Sequence, residues 1–433
     1  MKTCSGRVAG ALAALTLGAS MGRAESETVE RKGPLAGLPS EPKGEHLAKI
    51  AALGDNEWVD LGQPAPDPKW GLAPGRSWTP VMPYAPDLRG AFLFGEGTHG
   101  FVKPDGHYMD DLWFYDVNQH RWICVYPGIH AKEGYKEIAI DEKTGFELGP
   151  DGFPVPIAEV GHGYGAQTYD IHRRRFMSMP TFRHYWRRAI HGRADALAAA
   201  KDIRAGEGRA SPWIYDAVNG HWNRFRTENR PADAAAGTIL IYVPTVRRAF
   251  GYRRWNSRIA WYDPETNDWI EIQRKGDRTP WNVDVSSCYD SRRDRIYLGG
   301  GLYGVVPKGE SALWMFDVQT ETFTRLQPEG APPSNNFATN RARMQYDSVN
   351  DVVVLIQHRD DAARGVHVYH PEENRWETVC VNSEPLRKPG VPYAQWNGYY
   401  DPELNVHIQH VAGDSRQNGR IYAYRYKRQG ATP

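Results

Sequence analysis

The residues best suited to chemistry in this sequence are Gly161-His162-Gly163-Tyr164-Gly165. Alternating glycines free the backbone for unusual dihedral angles or for close approach of a ligand. They also leave His162 and Tyr164 without bulky neighbours. A histidine titrates near neutral pH, and beside a tyrosine it reads as an acid/base pair. The plainer alternative is a glycine-rich turn whose histidine bonds a backbone carbonyl.

A second cluster is Arg183-His184-Tyr185-Trp186-Arg187-Arg188. Arginine presents a planar fork that matches carboxylates and sulfates. Residues 183–209 carry seven basic and three acidic side chains, so an acidic ligand is one reading. The other is an electrostatic latch onto residues 131–159, which hold three Lys against seven Asp or Glu. Ligand contact is therefore assigned only to Arg183, His184, Tyr185 and Arg187. Two further groups are Thr98-His99-Gly100-Phe101 with Asp105-Gly106-His107-Tyr108, and Arg253-Arg254-Trp255-Asn256. An aromatic ring beside amide and guanidinium donors suits a sugar, which has an apolar face and a rim of hydroxyls. Trp255, in a loop, is the stronger platform, with Asn256 beside it.

Cofactor chemistry finds little support. His99 and His107 bracket Asp105 without compact metal-ligand spacing. Walker, dinucleotide, HExxH and GxSxG patterns are all missing. Neither a metal nor another cofactor is expected.

The elements that must hold these residues announce themselves as repeats. Trp113-Phe114-Tyr115-Asp116, Trp213-Ile214-Tyr215-Asp216, Ala260-Trp261-Tyr262-Asp263, Trp314-Met315-Phe316-Asp317 and His367-Val368-Tyr369-His370 each precede an aromatic six residues later. A period of roughly 50 residues with this content reads as one β-propeller blade per repeat. A second element, as in Tyr169-Asp170 to Met177 or Tyr289-Asp290 to Leu298, supplies the inner two strands. Inner and outer pairs make four-stranded blades. The count gives six, with a seventh left open because Ile138 to Leu148 could form a hairpin of its own. The last blade lacks a fourth strand, and Asn56-Glu57-Trp58-Val59-Asp60-Leu61 fits as that strand, closing the ring.

The strand register sorts the loops. Connections from second to third strand, and between blades, emerge on one face around a central funnel. His99, His107, His162, His184 and His410 fall there, as do insertions at about 130–160 and 181–210. His120, His172, His221 and His370 fall in the tight turns opposite.

Residues 1–24 read as a secretory signal, with Lys2 and Arg7 before an apolar run and small residues at Gly22-Arg23-Ala24. Residues 25–55 are an N-terminal extension with a helical stretch from Glu45 to Leu53, and residues 56–428 are the propeller. No other stretch has the ~20 apolar residues of a membrane span. The expectation is a secreted or periplasmic monomer. A net charge of +1 gives no reason to expect nucleic acid. Removal of the signal leaves Cys124, Cys288 and Cys380, which read as buried apolar residues and not as a disulfide framework.

With a glycine cluster after a second strand at Leu298-Gly299-Gly300-Gly301, and echoes at Phe94-Gly95 and Phe250-Gly251, residues 56–428 resemble the Kelch-repeat propellers. That group includes the central domain of galactose oxidase, and some Kelch-like propellers are uronate lyases. The resemblance implies a carbohydrate-active propeller acting on an acidic polysaccharide or oligosaccharide by β-elimination. In such a reaction Arg183 or Arg187 neutralises the uronate carboxylate and His162 takes the adjacent proton. Tyr164 or Tyr185 protonates the leaving oxygen, and His99 assists. His184, His107, Trp255 and Asn256 complete the substrate contacts. A non-catalytic propeller binding a glycan or a protein, and a sugar epimerase or mutarotase, remain open alternatives.

Overall fold

The computed structural model describes residues 30–76, 79–95, 110–129, 138–156, 163–179, 210–229, 239–252, 259–279, 285–299, 311–330, 342–357, 365–379, 396–411 and 419–428. Residues Arg31–Pro433 form one compact unit. Its strands make a six-bladed all-β propeller.

After a helix α1 (Glu45–Ala52) comes strand β1 (Glu57–Gly62). Blade 1 is β2 (Tyr84–Ala85), β3 (Gly90–Leu93), β4 (Leu112–Asp116) and β5 (Arg121–Tyr126). A small hairpin follows, β6 (Ala139–Ile140) and β7 (Glu147–Leu148). Blade 2 is β8 (Gln167–Asp170), β9 (Arg175–Ser178), β10 (Trp213–Asp216) and β11 (His221–Asn223). Blade 3 is β12 (Ile239–Val243), β13 (Arg248–Tyr252), β14 (Ile259–Asp263) and β15 (Asp268–Ile272), with β16 (Lys275–Gly276) crossing to the next blade. Blade 4 is β17 (Ser286–Asp290), β18 (Arg295–Gly299), β19 (Leu313–Asp317) and β20 (Thr322–Arg325). Blade 5 is β21 (Ala342–Asp347), β22 (Val352–Gln357), β23 (Gly365–His370) and β24 (Arg375–Val379). Blade 6 is β25 (Trp396–Asp401), β26 (Val406–Val411) and β27 (Arg420–Arg425), completed by β1.

That closure pairs Trp58 with Tyr424 and Val59 with Ala423 in an antiparallel ladder. The rings of Trp58 and Tyr424 lie 5.0 Å apart, and the Tyr424 hydroxyl donates to Asn56 Oδ1 at 3.0 Å. The seventh blade is excluded: Ile138 to Leu148 yields only the two-stranded β6–β7 hairpin, paired with no blade.

The repeat's chemistry lies in its turns. The aspartate after the tyrosine accepts backbone amides two and three residues on, as Asp290 does from Arg292 (2.9 Å) and Arg293 (3.0 Å). Such a side chain closes the turn in place of a ladder bond. Five residues after each inner tyrosine the chain turns left-handed, with φ between 50° and 57° at Arg89, Arg174, Arg247, Asp294, Asp351 and Asn405. Where that residue is Asp or Asn, it accepts the tyrosine hydroxyl: Tyr289 to Asp294, Tyr346 to Asp351, Tyr400 to Asn405. The motif aspartates and tyrosines are thus occupied in holding turns.

Apolar layers fill the gaps between blades. Phe92, Phe94, Phe114, Phe176 and Trp222 join blades 1 and 2, and Phe250, Trp261 and Phe316 join blades 3 and 4. The outermost strands of blades 1, 4 and 5 are shielded by chain arriving from the preceding blade. Ala65 bridges Arg121, β16 pairs with β20, and Glu329 bridges Arg375, each in parallel. Such coverage removes unpaired edges. On the turn face, ion pairs stitch neighbouring blades together. Arg89 of blade 1 reaches Asp401 of blade 6 at 3.1 Å, and Arg293 of blade 4 reaches Asp351 of blade 5 at 2.6 Å.

The N-terminal extension is built onto these turns. Ser40 Oγ donates to Asp116, Lys43 N to Asn118 O, and Arg31 pairs with Asp87 at 2.9 Å. The predicted helix from Glu45 is present as α1, whose His46 stacks on His120 at 5.0 Å.

Cys124 on β5 and Cys288 on β17 are both buried free thiols, as the register implied. Cys380 and residues 1–24, read above as a secretory signal, lie outside the described residues. Among the described residues no helix is long and apolar enough to cross a membrane.

Candidate functional site

The innermost strands β8, β12, β17, β21 and β25, with Pro80, Val81 and Met82 ahead of β2, surround a cavity of about 220 Å³ on the propeller axis. Every blade contributes to its wall, from Val81 and Gln167 through Ile241 and Ser287 to Gln345 and Gly398. It spans the strands from funnel-face ends (Gly165, Ser286, Gly398) to turn-face ends (Tyr289, Tyr346, Tyr400). Among the described residues that line it there is no Asp, Glu, Lys, Arg or His. Burial pushes the phenols of Tyr289, Tyr346, Tyr399 and Tyr400, and the Cys288 thiol, further toward their neutral forms. The wall therefore offers uncharged hydroxyls and amides set among aliphatic side chains.

Several of these polar groups are already engaged. Thr168 Oγ1 accepts from Tyr242 N at 2.8 Å and Ser286 Oγ from Met344 N at 3.0 Å. Gln345 Oε1 lies 2.6 Å from His407 Nδ1. Gln167 differs. Its Nε2 donates to Phe94 O at 2.8 Å, while its buried Oε1 accepts nothing.

The lip of the cavity is formed by the chain that the glycine pattern singled out. Ala166 N donates to Gly163 O at 2.9 Å, closing a turn with Tyr164 at φ 43°. A left-handed conformation is rare for a bulky residue and costs about 1–3 kcal/mol. The turn is fixed from below, since Gly163 N donates to Thr79 Oγ1 at 3.2 Å. A Cβ on Gly163 would sit 2.6 Å from Gln167 Nε2 and 2.7 Å from Thr79 Oγ1, so this glycine is required by close approach. Tyr164 itself is only 4 % exposed, whereas the glycine spacing pointed to an uncovered phenol. The close packing that demands Gly163 also encloses its neighbour.

A buried charged cluster lies beneath the funnel ends of blades 1 and 6. Arg76 Nη2 pairs with Asp111 Oδ2 at 2.8 Å, and Trp113 Nε1 donates to the same oxygen at 2.6 Å. Asp110 Oδ2 accepts Ile129 N at 3.0 Å, and burial holds this carboxyl well above the usual carboxylate range. Asn397 Nδ2 donates to Arg76 O at 3.1 Å and also to Thr79 O. Its cross-strand neighbour His410 is fully buried, edge-on to Trp122 at 5.2 Å, with neither ring nitrogen hydrogen-bonded. Burial first, and the Arg76 charge second, depress its pKa to about 3. His410 does sit at the funnel-face end of its strand, but as a neutral core group. Arg76, Asp110 and Asp111 went unread in the sequence, although adjacent aspartates entering an apolar strand are a visible signal.

Of the sequence-predicted residues, only Tyr164 is described. His99, His107, His162, Arg183, His184, Tyr185, Arg187, Trp255 and Asn256 lie outside the described residues. The described part of the 130–160 insertion packs along the outer edge of blade 2. Thr144 O accepts from Arg226, Phe146 lies under Arg224 at 5.3 Å, and Phe153 stacks on His221 at 3.9 Å. His221 begins β11 at the turn face, so the segment runs down the blade's flank because its apolar residues cover that edge. Among the described residues no group of acidic, His or Cys side chains could hold a metal ion.

No protein-family model matches the chain, and no curated protein matches it either. Among solved structures it is similar to an auxiliary nutrient binding protein from Bacteroides thetaiotaomicron, at 10 % identity over 86 % of this chain and 76 % of that one, with a TM-score of 0.42. It is similar to another from Bacteroides ovatus, at 12 % identity over 86 % and 77 % of the two chains, also with a TM-score of 0.42. A Bacteroides thetaiotaomicron protein of unknown function matches at 10 % identity over 87 % and 73 %, TM-score 0.42. Identities this low leave the site to be read from its own residues.

Proposed function

We propose that this protein binds a carbohydrate at the funnel face of the propeller, with the axial cavity as the inner end of the site. The observation that carries the reading is the cavity wall. Uncharged hydroxyl and amide groups lie there beside Met82, Leu240 and Met344, with no charged side chain among the described lining residues. A sugar ring has the matching pattern of apolar C–H faces and hydroxyl edges. The apolar run near the N-terminus supports export, so the protein meets its ligand in the periplasm or outside the cell. Titration calorimetry against a panel of neutral and acidic oligosaccharides tests the reading. Saturable binding of at least one glycan supports it, and silence across the panel removes it.

Catalysis of β-elimination on a uronate-containing glycan is a second reading, favoured by the strained backbone of Tyr164 at the cavity lip. Strain of this kind collects at functional sites. Arg183 or Arg187 then neutralises the carboxylate, His162 is the base, and Tyr185, in place of the enclosed Tyr164, returns a proton, with His99 in support. Ultraviolet absorbance from unsaturated uronates, gained with the parent protein and lost in His162→Ala, supports this reading. Equal turnover by both proteins sinks the role of His162, and no absorbance change on any uronate polymer removes the reaction.

A further inference from the structure

We infer that Gln345 is a hydrogen-bond donor of the axial cavity, and that His407 is the positioning residue that turns its amide nitrogen toward a bound ligand. This rests on the carbohydrate reading above and adds how the sugar is recognised. The unit entering the cavity is held through an accepting oxygen.

The two ends of the Gln345 amide have different surroundings. Gln345 lies on β21, the innermost strand of blade 5, and lines the cavity. Its Oε1 is 2.6 Å from Nδ1 of His407 on β26, so the oxygen is occupied by the neighbouring blade. Its Nε2 makes no hydrogen bond and, unlike the amide oxygen of Gln167, is not enclosed by protein. An amide NH2 that keeps an opening on a cavity is a donor ready for a ligand.

The groups around His407 set that orientation. The ring is fully buried, with the rings of Tyr400 and Tyr424 at 4.8 and 5.9 Å. Its other nitrogen, Nε2, lies 3.7 Å from Asp347 Oδ2. Burial works against ionisation of Asp347, yet His407, Tyr400 and Asn350 hold its carboxyl below the usual range. A ring set between an amide oxygen and a carboxylate suits the imidazolium, which has a donor on each nitrogen. The Nδ1 proton then faces Gln345 Oε1, and the NH2 end is left for the cavity.

The adjoining strand leaves room. Gly398 on β25 lines the cavity, and a Cβ there would lie 2.4 Å from Gln409 Nε2 and 2.5 Å from Ile408 O. Only glycine fits, so blade 6 sends no side chain across the cavity from this position.

The test is calorimetric titration of the full-length protein with the tightest-binding glycan of a neutral and acidic oligosaccharide panel, alongside NMR of the side-chain amides. The Gln345 amide signal is identified by its loss in Gln345→Met. The glycan should shift that signal in the parent. Gln345→Met and Gln345→Glu should each bind about tenfold more weakly, the effect of losing one buried hydrogen bond. In His407→Asn an amide nitrogen can stand where Nδ1 stood, so affinity should stay within about threefold, whereas His407→Leu should lose about tenfold. Unchanged thermal unfolding midpoints show that the variants fold. Gln345→Glu binding as tightly as the parent overturns the donor assignment, because a carboxylate only accepts. An unmoved amide signal, or affinity unaltered in both Gln345 variants, overturns the inference. The carbohydrate reading then still stands if Gly165→Val, which fills the opposite wall beside Ser287, abolishes binding. Equal losses in His407→Asn and His407→Leu remove the positioning role. Failure of every glycan to bind overturns both readings. Should Gln345→Glu or a His407 variant unfold, Gln345→Met and the amide signal decide.

Discussion

Burial of His410 makes the propeller acid-sensitive through one identifiable group. The ring is fully buried between Trp122 and the Arg76 cluster, and its pKa falls from 6.5 to about 3. The neutral form is favoured in the fold, so the unfolded chain takes up the proton first. Stability is therefore intact above pH 6.5 and drains away as pH falls, levelling only below about pH 3. At 1.36 kcal/mol for each pH unit, His410 alone removes ~2 kcal/mol at pH 5 and ~3 kcal/mol at pH 4. His410→Gln keeps a polar side chain that does not titrate. Urea unfolding of parent and variant at pH 7.5, 6 and 5 should show the parent losing ~2 kcal/mol more than the variant over that range. The variant starts less stable at pH 7.5, and the two curves converge as pH falls. Parallel pH dependence in the two proteins refutes the argument, since it would mean that His410 reaches water or a partner in the fold.

Two further predictions concern closure and the thiols. Trp58→Ala should cost about 2–4 kcal/mol, because it removes the ring packed on Tyr424 where β1 closes blade 6. Deleting residues 1–62 leaves β27 as an open edge and should give concentration-dependent aggregation in light scattering, whereas a monodisperse product contradicts the closure argument. Burial raises the Cys124 thiol to about 12 and also holds the Cys288 thiol well above its usual range, so neither should react with an aromatic disulfide reagent at pH 8 until denaturant is added. Rapid labelling of either in the native protein counts against the register that buries them.

The blades were legible because each repeat carries its own turn chemistry. Asp290 closing onto two amides and Asp294 taking the Tyr289 hydroxyl are local events within six residues of sequence, and they recur in blade after blade. Closure was legible too, since the last blade lacked a strand that Trp58 and its neighbours could supply. Placement of the 138–156 segment was not. Its contacts with Arg224 and His221 join residues some 70 positions apart, and nothing local encodes them. The cavity was hidden for the same reason, being assembled from residues of six blades that touch only once the ring has closed. Tyr164 shows the limit of reading a motif by type. Its glycine neighbours signalled freedom, while Gly163 is there because Thr79 and Gln167 leave no space for a side chain.

The central claim is that a sugar is bound where the funnel meets the axis. Saturation-transfer NMR with a mixed neutral and acidic glycan panel, run on the parent protein and on Gly165→Val, tests it most directly. The account predicts transfer to the terminal unit of at least one glycan with the parent and none with the filled cavity. Equal transfer with both proteins, or none with the parent, contradicts it.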